Sequence, residues 1–156
     1  MRKIMTLCFI LEEEKILLAL KKRGFGAGRY NGYGGKVQPG ETLEETLVRE
    51  MKEESGITLN KSKKVGIHEF RSTAWPEDTL EVHVFQALEY RGEPIETEEM
   101  KPEWFTLDAI PYDTMWPDDE YWLPLFLAGK KFRTKFLFGE NDSVLEQDIQ
   151  EVIHID

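Results

Sequence analysis

The sequence predicts one α/β domain built on a mixed sheet, and three observations carry that reading. The chain has 156 residues, of which 40% are hydrophobic and 12% aromatic, which suits a single domain with a real core. Short apolar stretches with strand character recur along it, bounded by polar or glycine-rich turns. One segment, residues 43–55, carries helical periodicity with a start and a stop signal. No internal repeat, low-complexity tract or linker divides the chain, so one domain over residues 1–156 is expected.

The elements follow in order. "IMTLCFIL" and "KILLAL" predict two strands separated by an acidic turn. Residues 23–35, "RGFGAGRYNGYGG", hold six glycines and predict a loop or a strongly bent segment. For the helix over 43–55, Thr42 followed by Glu45 is a capping box and Gly56 a stop. "KVGIHEFRS" and "DTLEVHVFQAL" predict strands, with "RGEPIETEE" an acidic loop and "EWFTL" a short strand. Residues 119–128 predict a second helix, capped by Asp118 or Asp119 and shortened or made irregular by Pro124. "KFRTKFLFG" and "SVLEQDIQEV" predict a closing hairpin around "GEND".

Composition excludes several functions. No apolar run reaches the roughly 20 residues that span a bilayer. The basic start and short apolar run at the N-terminus imitate a signal peptide, but the run ends in three glutamates without a small-residue cleavage site. A cytoplasmic location is expected, with no membrane partner. The net charge of −10 argues against long nucleic acid, yet permits a small phosphorylated ligand held through a cation. Cys8, the single cysteine, excludes a disulfide framework and reads as a buried thiol. His68, His83 and His154 show no metal-ligand spacing and read as structural.

The helix carries the first chemical signal. Each residue advances about 100°, so with Leu43 at zero, Leu47 and Met51 extend an apolar stripe. Glu50 and Glu54 fall about 20° either side of Leu43, on the inward face, and Glu53 lies on the flank. Glu44, Glu45 and Lys52 point away, and Glu45 is placed to pair with Arg49. Ionised carboxylates on a packed face need compensation, and two of them repel. A solvated acidic helix at a domain edge is one answer. A divalent cation answers it directly, and hard oxygen ligands select Mg²⁺, Mn²⁺ or Ca²⁺.

From Gly35 the chain reads "GKVQPGETLEETLVREMKEESGI". Glu41 follows Gly35 after five residues, and seven more lead to Arg49-Glu50, apolar Met51, Lys52, Glu53-Glu54, Ser55, Gly56 and apolar Ile57. Every defined position resembles the box of the Nudix hydrolase family. The resemblance implies an α/β/α sandwich with a loop–helix–loop that binds Mg²⁺, or Mn²⁺ in its place, and cleaves a diphosphate bond. It implies Glu50, Glu53, Glu54 and the carbonyl of Gly34 as metal ligands, Arg49 as an orienting residue and Glu41 as a brace for the loop. A Walker A phosphate loop is no rival, because Val37 follows Gly35-Lys36 and Tyr30 stands where that motif needs glycine.

The flanking segments "KKRGFGAGRYNGYGGKVQ" and "MWPDDEYWLPL" resemble the branch of the family that degrades oxidised purine nucleoside triphosphates such as 8-oxo-dGTP, and the similarity runs over essentially the whole chain. It implies that Asn31, Asp118 and Asp119 hydrogen-bond the purine edge and that Trp116 stacks on the base. Phe25, Phe70 and Phe138 would close the pocket, Thr6, Lys21 and Leu80 would line it, and Glu99 would be a further metal ligand or help activate water. It also implies a monomer. Ala19, Leu20, Tyr30 and Leu80 depart from the residues usual in that branch, and Trp75 lies in a segment one residue longer; all are expected near the pocket rim. The rivals are hydrolysis of another nucleoside diphosphate derivative, such as ADP-ribose or a dinucleoside polyphosphate, and a catalytically dead binding module.

Overall fold

A computed structural model describes all 156 residues. The strands are β1 (Arg2–Glu12), β2 (Lys15–Lys21), β3 (Tyr30–Asn31), β4 (Thr58–Ser72), β5 (Thr79–Arg91), β6 (Met100–Thr106), β7 (Lys131–Phe138) and β8 (Val144–Val152). The helices are α1 (Leu43–Ser55) and α2 (Asp119–Leu127). Strand order is β3-β2-β1-β5-β4-β7-β8, with β6 also paired to β2. The β1–β5 and β4–β7 pairs are parallel and the others antiparallel, so the sheet is mixed as the sequence predicts.

The apolar residues divide between the two faces. Cys8, Ile10, Leu17, Ala19 and Phe85 pack against Leu47 and Met51 of α1. Phe9, Ile16, Leu18, Val84, Phe132 and Phe136 pack against Trp122, Leu123 and Phe126 of α2. Neighbours Cys8, Phe9 and Ile10 alternate between the clusters, as the period of a strand requires. With one helix over each face, the architecture is the expected α/β/α sandwich.

Helix α1 spans the predicted residues. Thr42 accepts from Glu45 N–H and Glu45 from Thr42 N–H, completing the capping box, and Gly56 N–H donates to Lys52 O. Because Glu45 caps the helix, it does not pair with Arg49 as its spacing suggested; Arg49 bonds Glu41, Glu50 and Glu53 instead. Two strands outrun their sequence signals. β4 starts at Thr58 because the largely polar residues 58–63, with Leu59 turned into the core, are held by pairing to β5, and β6 starts at Met100 because it pairs along all of β2. The closing hairpin of β7 and β8 forms, with a tight turn over Glu140–Asp142 in which Asn141 and Asp142 take left-handed backbone angles.

Candidate active site

The site begins where the glycine-rich segment meets β1. Beyond β3 the chain runs antiparallel along β1: Thr6 N–H donates to Gly35 O at 2.9 Å, Cys8 N–H to Tyr33 O at 2.6 Å, and Val37 N–H to Ile4 O at 3.0 Å. A Cβ on Gly34 would stand 1.9 Å from Thr6 O, and one on Gly35 would stand 2.6 Å from the Glu50 carboxyl carbon. Glycine at both positions lets backbone lie against β1 on one side and against α1 carboxylates on the other.

Helix α1 presents the carboxylates as the wheel predicts. Glu54 is buried at 5% exposure, Glu50 is partly buried and Glu53 is exposed. Gly34 N–H donates to Glu54 Oε1 at 3.0 Å. Arg49 ties the region together, with Nε 2.7 Å from Glu41 Oε2, Nη1 2.7 Å from Glu50 Oε1 and Nη1 3.5 Å from Glu53 Oε2. It holds Glu41 down at about 2, and Glu41 in turn accepts from Gln38 N–H and the Thr46 hydroxyl. That places Glu41 as a loop brace and Arg49 as an orienting residue.

An acidic cleft opens between α1 and the loop before β6, lined by Glu50, Glu53, Glu54, Glu98, Glu99, Thr97 and Arg23. Desolvation pushes Glu54 up to about 8, and the charges of Glu50 and Glu99 add to this against the pull of the Gly34 amide and Lys21. Desolvation also raises Glu50, opposed by Arg49. As the side chains stand, no three of them meet closely enough to grip an ion. The charge is under-compensated all the same, and the donors are hard oxygens, which fits a divalent cation.

Glu54 also borders a second space, a cavity of about 150 Å³ on the far side of the glycine strand. Thr6, Lys21, Phe25, Asn31, Phe70, Leu80, Trp116, Asp118, Asp119 and Phe138 all line it, as does Gly34. The structure therefore brings together residues that the sequence spreads over more than 130 positions, and Glu54 joins the apolar cavity to the acidic cleft.

Asp118 and Asp119 are each 3% exposed. Asp118 occupies the N-cap position of α2 but makes no side-chain capping bond, contrary to the simplest expectation. Its Oδ2 instead accepts from the Trp122 indole N–H at 2.7 Å, and Asp119 Oδ2 accepts from Trp116 N–H at 3.1 Å. Burial raises both carboxyls well above the ordinary range, and the Asp118 charge raises Asp119 further. A buried pair of this kind holds protons into the neutral range.

Of the departing residues, only Leu80 and Trp75 line the cavity. Ala19 lies in the core under α1, and Tyr30 turns its ring onto Phe105 and its hydroxyl to Glu103; neither Tyr30 nor Leu20 borders the cavity. Sequence reasoning missed Arg29 and Trp122 and read His68 as structural, and all three line it. No spacing marks Arg29, because its place is set by a loop. His68 is isolated in sequence yet packs against Trp122, with ring centroids 4.3 Å apart, and burial lowers it to about 3.

Comparison with known proteins identifies the family. The NUDIX domain family matches residues 1–126. The oxidized purine nucleoside triphosphate hydrolase of Mus musculus is 48% identical over 150 residues, covering 96% of each chain. Its namesake from Danio rerio is 45% identical over the same share. A MutT protein from Bacillus halodurans superposes with a TM-score of 0.80 over 95% of this chain and 97% of its own, at 24% identity, which speaks to the fold alone. The chain belongs to the NUDIX domain family and is a Nudix hydrolase.

Proposed function

We propose that this Nudix hydrolase cleaves oxidised and damaged purine nucleoside triphosphates, with 8-oxo-dGTP, 2-hydroxy-dATP and O6-methyl-dGTP as candidate substrates. The products are the nucleoside monophosphate and pyrophosphate, which would sanitise the nucleotide pool. The observation that carries this reading is the buried Asp118–Asp119 pair in an aromatic-walled cavity that shares Glu54 with the acidic cleft. The names of the mouse and zebrafish relatives support it.

The base enters the cavity and stacks on Trp116, enclosed by Phe25, Phe70 and Phe138. A purine edge offers donors and acceptors, whereas two ionised carboxylates only accept. One retained proton lets the acid pair donate as well. Moving that proton between Asp118 and Asp119 adapts one pocket to an oxidised guanine or a hydroxylated adenine. Asn31 adds an amide, although its Oδ1 already accepts from Gly32 N–H at 2.8 Å, which leaves its NH₂ for the ligand. Thr6, Lys21 and Leu80 complete the wall.

The triphosphate extends toward the cleft. Glu50, Glu53, Glu54, Glu99 and the Gly34 carbonyl would hold Mg²⁺, or Mn²⁺ in its place. When bound, such a cation neutralises phosphate oxygens and makes water a better nucleophile. The chain's own contribution is positioning: Arg49 fixes Glu50, and the Gly34 amide fixes Glu54. Glu99 lines the cleft across from α1 and would serve as a further metal ligand or help activate water.

The test is pyrophosphate release with Mg²⁺ from 8-oxo-dGTP, 2-hydroxy-dATP, O6-methyl-dGTP, dGTP and ADP-ribose. A kcat/KM for the damaged purines about tenfold above dGTP, ~1.4 kcal/mol of transition-state discrimination, is expected. Preference for ADP-ribose or dGTP would leave the glutamate chemistry in place and refute the base-pocket assignment.

A further inference from the structure

Arg29 stands at the end of the glycine-rich loop. Its backbone is fixed by Lys21 N–H donating to Arg29 O at 3.0 Å and by Arg29 N–H donating to Gly26 O at 3.1 Å. Its guanidinium carbon lies 4.2 Å from the Trp116 ring centroid, over the face of the indole. Nη1 donates to Asp142 Oδ2 at 2.8 Å, across 113 positions of chain. Asp142 belongs to the turn between β7 and β8, where Asn141 and Asp142 both take left-handed backbone angles, φ 55° and 59°. Arg29 and Asp142 are 27% and 31% exposed at the side chain, so the pair is partly screened from solvent, and Arg29 itself lines the cavity.

An ion pair at that depth, taken alone, contributes little. Three features set this one apart. Its cation caps the aromatic ring on which the proposed base rests, a favourable cation–π geometry. The same ring is flanked by Phe25 and Phe138, at 5.1 and 5.9 Å between centroids, so Arg29 completes the packing that sets its plane. The positive charge of Arg29 also acts on both members of the buried acid pair.

We infer that Arg29, clamped by Asp142, is a specificity-determining residue of the base pocket: it fixes the plane of Trp116 and, as a fixed cation on the wall, sets how readily Asp118 and Asp119 share their proton. The inference rests on the base-pocket reading above. It joins two loops that otherwise touch no common ligand, and it assigns the β7–β8 turn a part in selecting the base. Other groups around the pair are His68 across Trp122, Tyr112 ahead of α2, whose phenol feels the Asp119 charge, and Glu120 one residue on. Among these neighbours only Arg29 brings a positive charge to both acids while burial holds His68 neutral.

The experiment is binding of 8-oxo-dGMP by titration calorimetry from acid to alkaline pH, in chelator, for wild type, Arg29→Gln, Arg29→Lys, Asp142→Asn and Asp118→Asn. Working without metal and with the monophosphate isolates the base pocket from the acidic cleft. Arg29→Gln is expected to weaken binding about fivefold or more, and Asp142→Asn in the same direction by less. Loss of a cation raises the pKa of a carboxyl, so the pH window of tight binding moves upward in Arg29→Gln. Arg29→Lys keeps the charge and loses the planar stack, so it restores the pH window while affinity stays below wild type. A merely structural role for the ion pair would not move that window.

A Kd for Arg29→Gln within about twofold of wild type, or an unmoved pH window, overturns the inference. If wild type binds and Asp118→Asn weakens it while Arg29→Gln matches wild type, the base-pocket reading stands and this inference falls alone. Wild-type protein that takes up no purine monophosphate overturns both.

Discussion

Replacing Glu54 with glutamine removes a charge and keeps the shape, including an oxygen for the Gly34 amide. In chelator, with no cation bound, burial and the neighbouring acids push the Glu54 carboxyl from 4.5 to about 8. A carboxyl raised in this way binds more protons folded than unfolded. Its contribution to stability is therefore fully present below about 4.5 and is lost as pH rises through about 8. The gap, at about 1.4 kcal/mol per pH unit, comes to roughly 5 kcal/mol. For a domain of this size that is a Tm difference of roughly 10 °C or more. The assay is thermal unfolding of wild type and Glu54→Gln in chelator across this pH range. The two are expected to melt together at the acid end and to diverge toward alkaline pH, with the variant the more stable. Millimolar Mg²⁺ at the alkaline end is expected to close the gap by stabilising wild type alone. The variant should meanwhile lose turnover by orders of magnitude. A Tm difference that does not change with pH would refute the burial argument, and unchanged turnover would refute the metal assignment.

Asp118→Asn and Asp119→Asn should each alter the pH profile of kcat/KM for a damaged purine, because each removes one site for the shared proton; flat, unchanged profiles in both would sink the pair as base reader. Gly34→Ala puts a methyl against Thr6 O and should cost about 2–3 kcal/mol of stability as the glycine segment lifts off β1, measurable as a lowered denaturant midpoint. Burial pushes the Cys8 thiol up to about 12, so native protein should resist thiol reagents that react quickly once it is unfolded; rapid labelling of native protein would contradict the packing of β1.

Much of the scaffold is written locally. The capping box of Thr42 and Glu45 and the stop at Gly56 define α1 to the residue, because a helix end is satisfied by side chains a few positions away. The period of α1 likewise places Glu50 and Glu54 inward and Glu53 on the flank without reference to any other element. The Nudix box is equally local, so the sequence alone names the family and the carboxylates. Strand ends are not local. β4 and β6 extend beyond their apolar signals because a partner strand, distant in sequence, supplies hydrogen bonds to polar residues.

The cavity belongs wholly to the tertiary structure. Whether Asp118 caps α2 or meets the Trp122 indole depends on which groups the fold buries beside it, and burial, set against the Trp122 hydrogen bond and the Arg29 charge, decides how tightly it keeps a proton. Arg29 carries no motif. It matters only because a turn at Asp142, on the other side of the sheet order, reaches back to hold it over Trp116. Sequence determines what is set within one helical turn or one contiguous motif. The contacts that desolvate a charge or orient a ring cross long spans of chain, and only the folded sheet brings them together.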